Sequence, residues 1–265
     1  MRALWIPWRR SGGLAVVLLA ATLSASCHRS IAPPVELGRS AVALTGGPST
    51  SMMYLARTPE GVFAIDLGWW GQSRALGDAL KKLDATPTDI RWVFLTHSHR
   101  DHIAAWRDVR HARFVLAASE EARLFGQTPH GGWIPRWADR LLPPSLPRQG
   151  DVATTGLTTD TAFVFGSDTL YTYLVPGHTP GSTVYLFRGV LFVGDAMTFS
   201  RWGGFGPAKR GYTDDRSMAI RSLSALWARL PAGAVRYVCT AHAHCVAFTP
   251  DFMRVVPKWW TALSC

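Results

Sequence analysis

Charge is scarce in this chain. Of 265 residues only 17% are charged, against 48% hydrophobic, so a sizeable buried core is expected and intrinsic disorder is excluded. Acidic residues are the scarcer kind: 18 Asp and Glu face 28 Lys and Arg, a net charge of +10. A positive surface favours anionic substrates or a negatively charged envelope. No run of lysine and arginine interleaved with aromatics occurs, so no nucleic-acid partner is expected. Cysteine is limited to Cys27, Cys239, Cys245 and Cys265. Cys27 aside, the thiols permit one disulfide and leave one over. Cys239 falls inside a predicted strand, where it is expected to act as a small hydrophobe rather than a metal thiolate. No internal repeat of fixed period is visible.

A long apolar run is missing at the N-terminus too. Residues 14–23 are apolar, too short a stretch for a comfortable membrane span. Arg2, Arg9 and Arg10 precede it, and the small residues Ser24, Ala25 and Ser26 follow, which is the layout of an export signal. The expected organisation is a signal peptide at 1–26, a tether at 27–34 and one domain at 35–265. Without the three leading arginines, 25 basic residues face 18 acidic ones. The stretch before Cys27 looks like a bacterial lipoprotein cleavage site, with Ser24 where leucine is usual. Acylation of Cys27, giving a membrane tether, and cleavage without lipid both stay open. The expected location is outside the cytoplasm, as a periplasmic protein or a membrane-anchored lipoprotein.

Within the domain, apolar runs predict strands at 41–45, 51–57, 61–66, 91–95, 113–117, 161–165, 169–175, 183–188, 190–194 and 235–240. Helical periodicity marks 73–83, with Leu76, Ala79, Leu80 and Leu83 on one face. A second helix should start after Asp214 and Asp215, turn Met218, Leu223, Leu226, Trp227 and Leu230 inward, and stop at Pro231. Further helices are expected at 102–109, 120–125 and 249–260. Residues 118–150, punctuated by Pro129, Pro135, Pro143, Pro144 and Pro147, read as a long loop of the kind that forms lids. Trp133, Trp137, Trp202 and Phe205 are either an apolar substrate mouth or part of the core.

The most informative stretch is Thr96-His97-Ser98-His99-Arg100-Asp101-His102, which follows a predicted buried strand. Imidazole and carboxylate are the ligands zinc takes when no thiolate is used. His97 and His99 are two apart, so on an extended segment both point the same way. Three later pieces extend the pattern, Gly177-His178-Thr179-Pro180-Gly181, Gly194-Asp195 and a strand ending near His242, and upstream lies an opening hairpin that ends in Asp66-Leu67-Gly68. Together they resemble the metallo-β-lactamase superfamily over residues 35–255.

That resemblance implies an α+β fold, the αββα sandwich of two mixed β-sheets with helices outside and metals at one edge. It implies a first metal site at His97, His99 and His178, and a second at Asp101, His102 and His242, with Asp195 bridging. The alanine-histidine pattern favours His242 over His244, while His111 and His130 match no motif and are read as loop residues. Two zinc ions are the expected cofactor, and the same ligand set also takes iron or manganese. The implied activity is hydrolysis by a metal-bound hydroxide of a small-molecule ester, thioester, lactone or β-lactam, with Asp101 orienting the hydroxide or taking its proton. Gly194-Asp195-Ala196 looks more like the thioesterase, lactonase and phosphodiesterase branches. The alternative is a mononuclear iron oxidoreductase of the persulfide dioxygenase type on the same fold, which uses fewer of these ligands. The di-iron branch that works with a flavin partner usually has an acidic residue at the position of His99.

Overall fold

The computed structural model describes residues 41–44, 51–69, 73–199, 205–242 and 245–249. The strands β1 (Ala41–Leu44), β2 (Met53–Thr58), β3 (Gly61–Ile65), β4 (Ile90–Phe94), β5 (Arg113–Ala117) and β6 (Ala153–Leu157) form one sheet in that order. Its first two pairings are antiparallel and the rest parallel. The second sheet contains β7 (Thr161–Phe165), β8 (Asp168–Leu174), β9 (Thr183–Phe187), β10 (Val190–Gly194), β13 (Tyr237–Thr240) and β14 (Cys245–Ala247). Its order is β14-β13-β10-β9-β8-β7, with β10 and β13 parallel. A short ribbon pairs β11 (Met197–Phe199) with β12 (Phe205–Pro207). Both sheets are mixed, as the resemblance implied.

Three apolar layers hold these sheets in place. Between them, Tyr54, Phe63, Ile65, Phe94 and Val115 of the first sheet meet Phe165, Leu170, Tyr185, Phe187 and Phe192 of the second. Outside the first sheet, Leu55, Ala64 and Val93 pack with Leu76, Ala79 and Leu80 of α1 (Ser73–Lys82). Outside the second, Val184, Leu186 and Leu191 pack with Leu223 and Leu226 of α4 (Arg216–Arg229). The central β9 and β10 are buried at every residue, which explains their unbroken apolar sequence. Each large side chain so covered contributes about 1.5–3 kcal/mol.

Several expectations need correction. Residues 102–109 form only one 3₁₀ turn, Trp106–Val109. The backbone N–H groups of Ala104 and Ala105 bond to the carbonyls of Gly68 and Leu67 instead of building an α-helix. The long loop at 118–150 contains α2 (Glu121–Leu124), the only part foreseen, and α3 (Trp133–Leu141). Pro135 is tolerated there because it lies in the first turn, where N–H groups have no partner inside the helix. β6 was missed because it is an edge strand rich in threonine, with only Leu157 buried. Met218 is exposed, since the α4 register turns Ala219, Leu223 and Leu226 inward. Cys239 is not a lone hydrophobe: it stands opposite Cys245 across the β13–β14 pair, and the two form a disulfide. The expected N-terminal segments, all of the helix expected at 249–260 except Thr249, Trp202 and His244 lie outside the described residues.

Candidate metal centre

Four strand ends meet at one edge of the sandwich. The segment 96–102 leaves β4, the loop carrying His178 leaves β8, Asp195 follows β10 and His242 follows β13. Backbone bonds lock these ends together: Thr183 donates to Thr96, Ala241 to Gly194, and Met52 to Ala241. Gly194, with φ +51°, allows a close approach: a Cβ there would stand 2.6 Å from Thr96 Cβ. The His178 loop is clamped by the start of α4: Asp214 N–H donates to His178 O and Asp215 N–H to Gly177 O. Asp215 also caps that helix, accepting from Met218 N–H at 2.8 Å.

All seven residues singled out from the sequence converge. His178 Nε2 lies 3.2 Å from both His97 Nε2 and His99 Nδ1. His242 Nε2 lies 3.3 Å from Asp101 Oδ2 and 3.2 Å from Asp195 Oδ2. His102 Nε2 faces Asp101 at 3.8 Å and Asp195 at 3.9 Å. Donor atoms thus gather in three overlapping groups, His97/His99/His178, His97/His102/Asp195 and Asp101/His102/His242, each within 4.8 Å. His102 Nε2 and Asp195 Oδ1 are buried without a hydrogen-bond partner. Orphaned lone pairs of this kind are costly unless something electropositive joins them, so the donor set fits divalent cations.

Supporting side chains fix which nitrogen faces inward. Asp66, at φ 57°, accepts from Thr96 N–H, Thr96 Oγ1–H and His102 Nδ1–H at 2.7–2.8 Å. Because Thr96 Oγ1 gives its hydrogen to Asp66, it accepts from His97 Nδ1–H at 3.1 Å. Thr213 likewise donates to Lys209 O and accepts from His178 Nδ1–H. The inward nitrogens of His97 and His178 are therefore lone-pair donors, and that of His102 becomes one when its second proton is displaced. Glu120, fully buried, accepts from Ser98 N–H and Oγ–H and from Gly181 N–H, tying the two histidine loops together. His130 is not an ordinary loop residue, unlike the exposed His111. It is buried, bridges Asp139 and Ser98 O, and lies edge-on to His99. No motif pointed to Thr213, Glu120 or His130; Asp66 at least ended the opening hairpin.

Electrostatics divides the cluster. Burial, and then the neighbouring histidines, hold His97 and His99 well below the usual imidazole range. Burial also lowers His178, against the pull of Asp195. Burial opposes charge on His102 as well, but Asp66, Asp101 and Asp195 outweigh it and raise its pKa to about 10. Burial opposes charge on His242 too, and Asp195 and Asp101 raise it. Burial would push Asp195 up, yet His242, His102 and His178 hold it well below the carboxylate range. One end of the centre is thus neutral imidazole, the other carboxylate beside the proton-holding imidazoles of His102 and His242.

Residues 46–242 match the family described as the metallo-beta-lactamase superfamily. The chain belongs to the metallo-beta-lactamase superfamily. Among curated relatives, hydroxyacylglutathione hydrolase of Bartonella henselae is 28% identical over 48% of this chain and 40% of its own length. N-acyl homoserine lactonase AttM of Agrobacterium fabrum is 31% identical over 47% of this chain and 48% of its own. The chain thus matches less than half the length of these superfamily relatives, both of which are hydrolases. A metallo-beta-lactamase superfamily protein from Sulfolobus tokodaii has the same fold, with TM-score 0.59 and 18% identity over 82% of this chain and 84% of its own.

Of the aromatic residues considered for a substrate mouth, Phe205 belongs to the core under α4. Trp133 and Trp137 are exposed on α3.

Proposed function

We propose that this superfamily member is a binuclear zinc-dependent hydrolase of small molecules with an activated acyl carbon: an ester, thioester, lactone or β-lactam. The observation that carries this reading is the convergence of a second donor group, Asp101, His102 and His242, beside the His97, His99 and His178 group, with Asp195 within reach of both. When bound, two divalent cations supply the nucleophile and the Lewis acidity. His97 Nε2, His99 Nδ1 and His178 Nε2 would hold one, Asp101, His102 Nε2 and His242 Nε2 the other, and Asp195 both. Asp101 is only partly buried, so its carboxylate could take the proton released as water attacks and pass it outward. Asp66, Thr96 and Thr213 hold the outer Nδ1 of His102, His97 and His178, and so keep those three imidazoles oriented for binding. The named activities of the hydrolase and lactonase relatives support acyl chemistry for this chain as well.

The mononuclear iron reading would leave the Asp101, His102 and His242 convergence without a use. The test is turnover of a panel comprising a chromogenic cephalosporin, an acyl lactone, a thioester and a phosphodiester by the zinc-loaded protein. His97→Ala and Asp195→Ala should each abolish turnover of whichever substrate is accepted while the protein stays folded. No hydrolysis, with oxygen consumption on a persulfide by an iron-loaded protein, would replace this reading with the oxidoreductase one.

A further inference from the structure

Seven large apolar side chains are exposed among the described residues, and four of them, Trp133, Trp137, Leu141 and Leu142, lie in one ten-residue stretch. Three follow each other at intervals of four on α3, so they form one stripe along a helix face. Asp139 points from the opposite side of the same helix. It accepts from Arg100 Nε at 2.9 Å and from His130 Nδ1 at 2.7 Å, and Arg100 also bonds Leu142 O. Burial would raise the Asp139 carboxyl, but His130 and Arg100 outweigh it and keep it below the usual range. The helix is thereby fastened to the histidine-bearing loop by its inner face. Its apolar stripe lies on the face opposite Asp139 and is exposed.

The surroundings of the stripe are basic. Arg136 and Arg140 are exposed on α3 itself. The chain then runs through Pro143 and Pro144 to a groove of about 360 Å³ lined by Trp106, Arg107, Arg110, Leu146, Arg148 and Asp151. Ser145 fixes that passage, its carbonyl taking Trp106 Nε1–H at 2.9 Å and its hydroxyl bonding Arg107. The acidic neighbours are each engaged or flanked by arginine: Asp139 inward, Asp214 beside Gly131 with Arg123, Asp151 with Arg148 N–H, and Asp108 next to Arg107 in the chain. Tryptophan and leucine flanked by arginine are the side chains that seat a helix at the boundary between lipid headgroups and acyl chains. Arginines of this density favour an anionic surface over a zwitterionic one.

We propose that α3 and the adjoining arginine groove form a docking face for an anionic phospholipid bilayer. Trp133, Trp137, Leu141 and Leu142 enter the headgroup boundary, and Arg107, Arg110 and Arg148 receive a lipid phosphate. The bilayer is the occupant because apolar stripe and positive charge are adjacent, a pairing that neither a second basic copy nor an apolar segment of the chain would match. This docking is independent of the hydrolase reading and of any acyl group on Cys27.

The experiment uses the full chain with Cys27→Ser and Cys265→Ser, the Cys239–Cys245 disulfide retained. A single reporter cysteine, Trp137→Cys or the equally exposed control Val164→Cys, carries an environment-sensitive fluorophore. Vesicles are of phosphatidylcholine alone or of equal parts phosphatidylcholine and phosphatidylglycerol. The 137 reporter should brighten several-fold and shift to the blue with the anionic vesicles only, and the 164 reporter with neither. Arg136→Glu with Arg140→Glu should weaken that response by roughly tenfold or more. A 137 reporter that ignores anionic vesicles, or answers both kinds equally, overturns the proposal. So does one already shielded without lipid, by a second copy if the shielding depends on protein concentration and by the chain itself if it does not.

Discussion

Replacing Glu120 by glutamine isolates the tie between the two histidine loops. In the native side chain Oε2 accepts Ser98 N–H at 3.0 Å together with the Ser98 hydroxyl, and Oε1 accepts Gly181 N–H at 2.9 Å. Glutamine keeps one acceptor oxygen, and its NH₂ then faces a donor. One charge-assisted bond is lost and the other two lose their charge, each such bond being worth about 1.5–3 kcal/mol. A cost of about 3 kcal/mol follows, or a fall in Tm of about 6–12 °C for a domain of this size. Ser98 lies between His97 and His99, and Gly181 follows His178, so the His97/His99/His178 site should also lose roughly tenfold to a hundredfold in zinc affinity. Thermal unfolding with and without zinc, plus competition against a chromogenic chelator, reads both effects. Glu121→Gln, one residue along, should change neither. A Glu120→Gln protein with Tm within about 2 °C of the parent and unchanged zinc affinity would refute the reasoning.

Asp66→Asn removes the charge that orients His102 Nδ1–H, and should weaken the second site by about tenfold to a hundredfold with less effect on the first, as read by metal titration. Metal affinity should fall as pH falls. His102, raised to about 10, and His242, also raised, hold protons that a cation must displace, so each displaced proton costs up to about tenfold per pH unit. Titrations at three pH values that gave one affinity would contradict this. The Cys239–Cys245 disulfide closes the loop that carries His242, with a sequence separation of 6. On chain-entropy grounds its removal by paired alanines should cost about 2 kcal/mol in denaturant unfolding and loosen the second metal before the first.

Ligand positions were legible in the sequence because their chemistry is local: His97, His99, Asp101 and His102 share one strand end, and His178, Asp195 and His242 each close a recognisable apolar strand. The two-sheet architecture came from the family resemblance, since apolar periodicity alone implied only mixed α and β structure. What escaped was held by contacts distant in sequence. Glu120 reads as the start of a surface helix until β5 delivers it beneath Ser98. His130 reads as a loop residue until α3 packs Asp139 against it. The helix expected at 102–109 failed because its N–H groups are claimed by Leu67 and Gly68, a partner no local pattern reveals. β6 and β14 are edge strands: β6 is rich in threonine and β14 is only three residues long, so neither carries the sustained apolar run that marks β9 and β10.

Metal stoichiometry tests the central claim most directly. The purified chain, equilibrated with zinc and freed of excess, should hold about two ions by elemental mass spectrometry, and Asp101→Ala with His242→Ala should reduce that to about one. A parent chain that retains one ion, and keeps it unchanged in the double variant, would contradict a two-metal centre.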